Sequence, residues 1–143
     1  MLLQIKEEFS RVKGADTLAS VAKLMLSREH VFDQQKEHFV GVGLSVKNDI
    51  QYVDLISLGT LDASLVHPRE CFRHAVEHGV SSIAFIHNHP SGDVEPSPQD
   101  EKVTERLIAA GNILGIEVLD HVIVGNESDA FYSFRSRQVG LWL

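Results

Sequence analysis

Residues 80–87, Val-Ser-Ser-Ile-Ala-Phe-Ile-His, form a short, largely apolar run that does not alternate and that ends in a histidine. An alternating strand keeps one face in water, whereas a strand apolar on both faces must be covered on both. The run therefore predicts the central strand of a sheet. The flanking patterns agree with it. Residues 38–46 read as a strand, Lys47-Asn48-Asp49 as a turn, and 50–58 as the returning strand of a hairpin. Leu18, Val21, Ala22 and Met25 recur at helical spacing behind Asp16, which predicts a helix capped by Asp16 and ending near Arg28. Pro68 and Gly79 bracket a second helix, with Phe72, Ala75 and Val76 as its buried stripe. A Pro/Gly/Ser-rich loop over 88–97, a helix over 98–114, a strand over 116–124 and a short strand near 130–134 complete the pattern. Helices interleaved with strands predict one α/β (α+β) domain with a central mixed sheet flanked by helices. Residues 1–35 are expected to add a mixed-charge arm or short extra helix and the first helix to the same domain as 36–143.

Composition narrows the chemistry. The chain has 143 residues, about one domain, with no stretch near the ~18 apolar residues of a membrane span. Lys6, Glu7 and Glu8 argue against a secretory signal, so a cytoplasmic location is expected. Thirteen basic against twenty acidic residues give a formal charge of −7. A sheath of cations on phosphates is not expected, and with it no strong non-specific nucleic-acid binding. The single Cys71 can form neither an internal disulfide nor a cysteine-based zinc cage. Any metal must be held by carboxylates and the eight histidines.

His87-Asn88-His89 places two imidazoles two residues apart, on one side of an extended segment. A third ligand is available downstream. With Ser97 as N-cap and Pro98 at the first helical position, Asp100 aligns with Val103 and Leu107 on the buried face. An inward carboxylate needs a partner, and a divalent cation on two histidines would be one. Two His and one carboxylate leave a fourth position open, the arrangement of catalytic zinc sites, although iron or manganese takes similar ligands. The plainer reading of Ser97-Pro98-Gln99-Asp100 is a helix start, with a capping serine and an acid near the positive end of the dipole. His121 reads as an ordinary hydrogen-bonded histidine or as a support for the site. His30, His38, His67, His74 and His78 read as surface or structural, and Cys71 as a small core residue.

The spacing His87-x-His89, seven residues, Ser97, two residues, Asp100 resembles the JAMM motif of JAB/MPN-type metalloproteases at every position. The words 60–70 (Thr-Leu-Asp-Ala-Ser-Leu-Val-His-Pro-Arg-Glu), 87–92 (His-Asn-His-Pro-Ser-Gly) and Leu119-Asp120-His121 are similar to the RadC-type branch of that superfamily. The resemblance covers about residues 36–143, without the helix-hairpin-helix-like region of longer RadC proteins. It implies a JAB1/MPN-like (cytidine deaminase-like) fold and one Zn²⁺ on His87, His89 and Asp100. It further implies hydrolysis of a peptide or isopeptide bond in a protein or peptide substrate. The motif serine, Ser97, would stabilise the oxyanion, and an upstream glutamate would act as acid/base. Glu70 and Glu77 fall on the solvated face of their helix, and the direction of Glu29 is open. Glu37 stands at the entrance to the 38–46 strand, where JAMM proteins carry this residue. It would take a proton from the attacking water and deliver one to the leaving amine. A catalytically quiet, zinc-stabilised binding module tied to DNA repair or replication is the alternative. A nuclease is disfavoured by the lack of a second metal site and by the negative charge.

Overall fold

The computed structural model describes residues 1–4 and 10–143. In chain order its elements are α1 (Ala15–Ser27), α2 (Val31–Gln34), β1 (His38–Leu44), β2 (Ile50–Leu58), α3 (Pro68–His78) and β3 (Ser82–His89). They are followed by α4 (Pro98–Leu114), β4 (Glu117–Gly125), β5 (Phe131–Ser133), α5 (Phe134–Arg137) and a 3₁₀ turn, Val139–Trp142. One five-stranded mixed sheet has the order β2-β1-β3-β4-β5. β3 sits at its centre, antiparallel to β1 and parallel to β4. No helix among the described residues is long and apolar enough to cross a membrane.

Two cores cover the sheet, as the unalternating β3 run requires. One packs Leu18, Val21, Ala22 and Met25 of α1 against Val40, Val42, Ala84, Ile86, Val122 and Val124. The other packs Phe72 and Ala75 of α3 and Val103 and Leu107 of α4 against Phe39, Ile83, Phe85 and Val118. In β1 and β3 the two sets alternate in number, so each of these strands feeds one core with odd positions and the other with even ones, while in β4 the register irregularity opposite Ile83 and Ala84 shifts the phase between Val118 and Val122.

Several sequence expectations shift in detail. Gly14, not Asp16, occupies the N-cap of α1, and Asp16 lies in the first turn, where its charge faces the positive end of the helix dipole. In α3 the buried stripe is Cys71, Phe72 and Ala75, whereas Val76 is 59% exposed. The helix leans on the sheet through its 71/72/75 edge, and one further residue turns Val76 outward. β1 ends at Leu44 rather than 46, and β3 runs two residues past His87. Asn88 and His89 are therefore strand residues, and the connecting loop begins only at Pro90. The N-terminal arm or short extra helix expected over 1–15 lies partly outside the described residues, at 5–9. Within the remainder, Leu3 N–H and Val12 N–H donate to the Val53 and Asn48 carbonyls, beside the outer edge of β2.

Candidate metal centre

The register of the antiparallel β1–β3 pair builds the site. Phe39 stands opposite His87 and Val40 opposite Ile86. Two residues before Phe39, just ahead of β1, Glu37 reaches the same side as His87 and His89, which strand alternation puts on one face of β3. Their reach is short. Glu37 Oε1 is 3.2 Å from His87 Nε2. Glu37, His87 and His89 each offer a ligand atom, and the three atoms lie within 4.8 Å of one another.

Asp100 arrives from the other direction, on the first turn of α4. Ser97 and Asp100 form a full capping box. Ser97 Oγ accepts from the Asp100 N–H at 3.1 Å, and Asp100 Oδ2 accepts from the Ser97 N–H at 2.8 Å. The same Oδ2 lies 3.0 Å from His89 Nε2, and Oδ1 lies 3.6 Å from His87 Nδ1. Thus the helix-start reading and the inward-carboxylate reading hold together, because the box fixes the rotamer that aims Asp100 at the histidines. His89 Nδ1 donates to the Asp93 carbonyl at 2.7 Å, which leaves Nε2 directed at Asp100. All five residues singled out in the sequence gather here, with Ser97 exposed at the rim.

Burial separates the two carboxylates. The Asp100 side chain is 2% exposed and that of Glu37 24%. Burial works to raise the Asp100 carboxyl, but the hydrogen bond with His89 and the charge of His87 bring it down to about 2. The hydrogen bond with His87 likewise holds Glu37 below its ordinary value, against desolvation. The bond to Asp100 raises His89. Two imidazoles flanked by two ionised carboxylates are a donor set for a divalent cation, and His87 Nδ1 is buried with no hydrogen-bond partner in the protein. The residues fit a zinc-class ion.

The surroundings join His121, for which the sequence left two readings open, to features that the sequence did not mark. His121, on β4 opposite Phe85, is 1% exposed and packs between Phe134, Phe39 and His87. The Thr104 hydroxyl donates to the Asp100 carbonyl at 2.8 Å, so His121 Nδ1 must be the donor in its 2.6 Å contact with Thr104 Oγ1. Burial holds His121 neutral, with its pKa pushed down to about 3. On the far side, the turn after His89 folds close to the end of β4. A Cβ on Gly125 would lie 2.4 Å from the Gly92 carbonyl oxygen, so glycine at 125 is what lets this loop seat. Asn88, which the sequence placed in a loop, is buried within β3.

Over residues 16–139 the chain matches the family described as RadC-like JAB domain. It is 59% identical over 91 residues to a UPF0758 protein of Caldanaerobacter subterraneus subsp. tengcongensis, covering 64% of this chain and 39% of that one. Identity to the UPF0758 protein of Chlorobaculum tepidum is 49% over 125 residues, 87% of this chain and 53% of the relative. For the UPF0758 protein of Rubrobacter xylanophilus it is 53% over 117 residues, 81% and 52%. The chain spans about half the length of the curated relatives it matches.

Proposed function

This chain belongs to the RadC-like JAB domain family, and on that premise we propose that it is a zinc-dependent hydrolase of the JAMM type, acting on a peptide or isopeptide bond. The observation that carries the reading is the convergence of Glu37, His87, His89 and Asp100 from three separate elements onto one small volume. His87, His89 and Asp100 would hold the metal. Asp100 is the ligand rather than Glu37 because a carboxylate 2% exposed needs a permanent counter-charge, whereas Glu37 opens toward solvent. Bound there, zinc supplies a Lewis acid that polarises the scissile carbonyl and makes water easier to deprotonate.

The remaining work falls to the protein's own groups. Glu37 Oε2 accepts the Leu61 N–H at 3.1 Å, which orients the carboxylate and leaves Oε1 on the side of the histidines. From there it takes a proton from the attacking water and returns one to the leaving amine. Ser97 Oγ spends one lone pair on capping α4, so its O–H remains to donate to the oxyanion. The substrate is a protein or peptide, and the place of action is the cytoplasm.

The test is Glu37→Gln, with zinc content measured alongside turnover on a fluorogenic library of peptide and isopeptide bonds. Zinc should remain while hydrolysis falls about 10²–10⁴-fold, the scale of a lost acid/base. Loss of zinc would move Glu37 into the ligand set. Zinc without turnover in the wild type would favour the quiet binding module.

A further inference from the structure

Glu37 lies one residue ahead of β1, where the regular ladder does not yet hold the chain. Its own carbonyl accepts the Gly59 N–H at 2.8 Å. The residues on either side of it are held by one side chain, that of Asn88. Asn88 sits between the two histidines, so alternation sends its side chain to the opposite face of β3. It is 1% exposed, and its amide is fully engaged. Oδ1 accepts the His38 N–H at 2.5 Å, while Nδ2 donates to the Lys36 carbonyl at 3.1 Å and to Asn126 Oδ1 at 2.9 Å. Asn126, just past β4, donates its own Nδ2 to the Gln34 carbonyl at 2.6 Å, and its N–H to the His89 carbonyl at 3.2 Å. His38 closes the segment by donating Nδ1–H to the Lys36 carbonyl at 2.9 Å.

We infer that Asn88, steadied by Asn126, is the positioning residue for Glu37. The inference rests on the reading of Glu37 as acid/base. Three consecutive residues then do two jobs. His87 and His89 aim at the metal from one face, and Asn88 on the other face fixes the backbone that carries the carboxylate. The distance from carboxylate to imidazoles is thereby set within one tripeptide. Few side chains could replace Asn88. Aspartate keeps the acceptor for His38 but has no donor for Lys36 or Asn126, and an apolar residue would leave the buried His38 N–H without its acceptor, at a cost of about 1–3 kcal/mol, and would take one donor each from the Lys36 carbonyl and Asn126 Oδ1.

The decisive variant is Asn88→Asp, which is isosteric and sets a carboxylate oxygen against the Lys36 carbonyl. Asn126→Ala, at a half-buried position, is the milder second variant should the first fail to fold. Val118→Ala, a core truncation away from the segment, controls for stability loss alone. In the asparagine variants, amide exchange at His38 and Gly59 should speed up by about tenfold or more, as local opening requires. The ¹³C resonance of the Glu37 carboxyl should move, and zinc content should stay unchanged. On a peptide that the wild type cleaves, kcat should fall about tenfold or more with KM nearly constant, and no further fall should appear in a Glu37→Gln background. A Glu37 resonance that stays put in both asparagine variants would overturn the inference. So would an equal movement in Val118→Ala, or an undiminished loss of activity on top of Glu37→Gln. A wild type that binds zinc and cleaves nothing counts against the acid/base reading, while the resonance and exchange still decide whether Asn88 holds this segment.

Discussion

His121 offers a quantitative check on how the buried face behind the metal centre works. Its ring is 1% exposed, donates to Thr104 and stacks on Phe134 at 4.9 Å, and burial lowers its pKa from 6.5 to about 3. The sign follows from linkage. The folded value is depressed, so the unfolded chain binds the extra proton as pH falls below 6.5, and stability present above that pH is lost on acidification toward 3. With 1.36 kcal/mol for each tenfold preference, His121 should cost about 2 kcal/mol between pH 7 and pH 5, and roughly 4–5 kcal/mol over the whole window. His121→Leu removes the titration at similar volume, and Thr104 keeps its donation to the Asp100 carbonyl. At pH 7 the variant should stay within about 1–2 kcal/mol of wild type, since it loses one hydrogen bond and also a buried nitrogen, Nε2, that has no partner in the protein. The assay is urea unfolding of metal-free protein with a chelator present, at pH 7 and pH 5. The carboxylates and histidines of the site titrate in both proteins, so the comparison isolates His121 together with its coupling to His87, Asp100 and His89. The wild type should lose about 2 kcal/mol more than the variant, a difference in midpoint of roughly 1 M urea. Equal losses would mean that His121 protonates in the folded state, and the account of its burial would fail.

Three further outcomes follow from the site and the charge. His89→Ala should abolish stoichiometric zinc binding while the circular dichroism spectrum is retained, because both cores lie elsewhere; full occupancy in the His87→Ala/His89→Ala double variant would refute the ligand set. Ser97→Ala should cost about 1 kcal/mol through the lost cap. It should also cost up to roughly 10²–10³-fold in turnover if the hydroxyl meets the oxyanion; a lower melting temperature at full turnover would leave capping as its whole role. Duplex DNA should bind at roughly 10⁻⁴ M or weaker at physiological salt, given the −7 charge, and submicromolar, steeply salt-dependent binding in a filter or anisotropy assay would contradict this.

The sequence alone determined whatever depends on short-range order. The unalternating run before His87 required a strand covered on both faces, and the structure places β3 at the sheet centre between two cores. The Ser-Pro-x-Asp start of α4 fixed Asp100 on the inward face, because capping chemistry and the 3.6-residue period are local. Tertiary structure decided what depends on which segments meet. Periodicity could not tell that α3 leans on the sheet through Cys71 instead of Val76, since both choices give an amphipathic helix. Glu37 was named through a family resemblance, and only the β1–β3 register, with Phe39 opposite His87, shows physically why that carboxylate reaches the histidines. Asn126 and Thr104 carry no sequence signature, and the word 87–92 that contains Asn88 does not say what its amide holds. Their amides and hydroxyl act on backbone groups and on a histidine 4 to 92 residues away, and that proximity is a property of the folded chain.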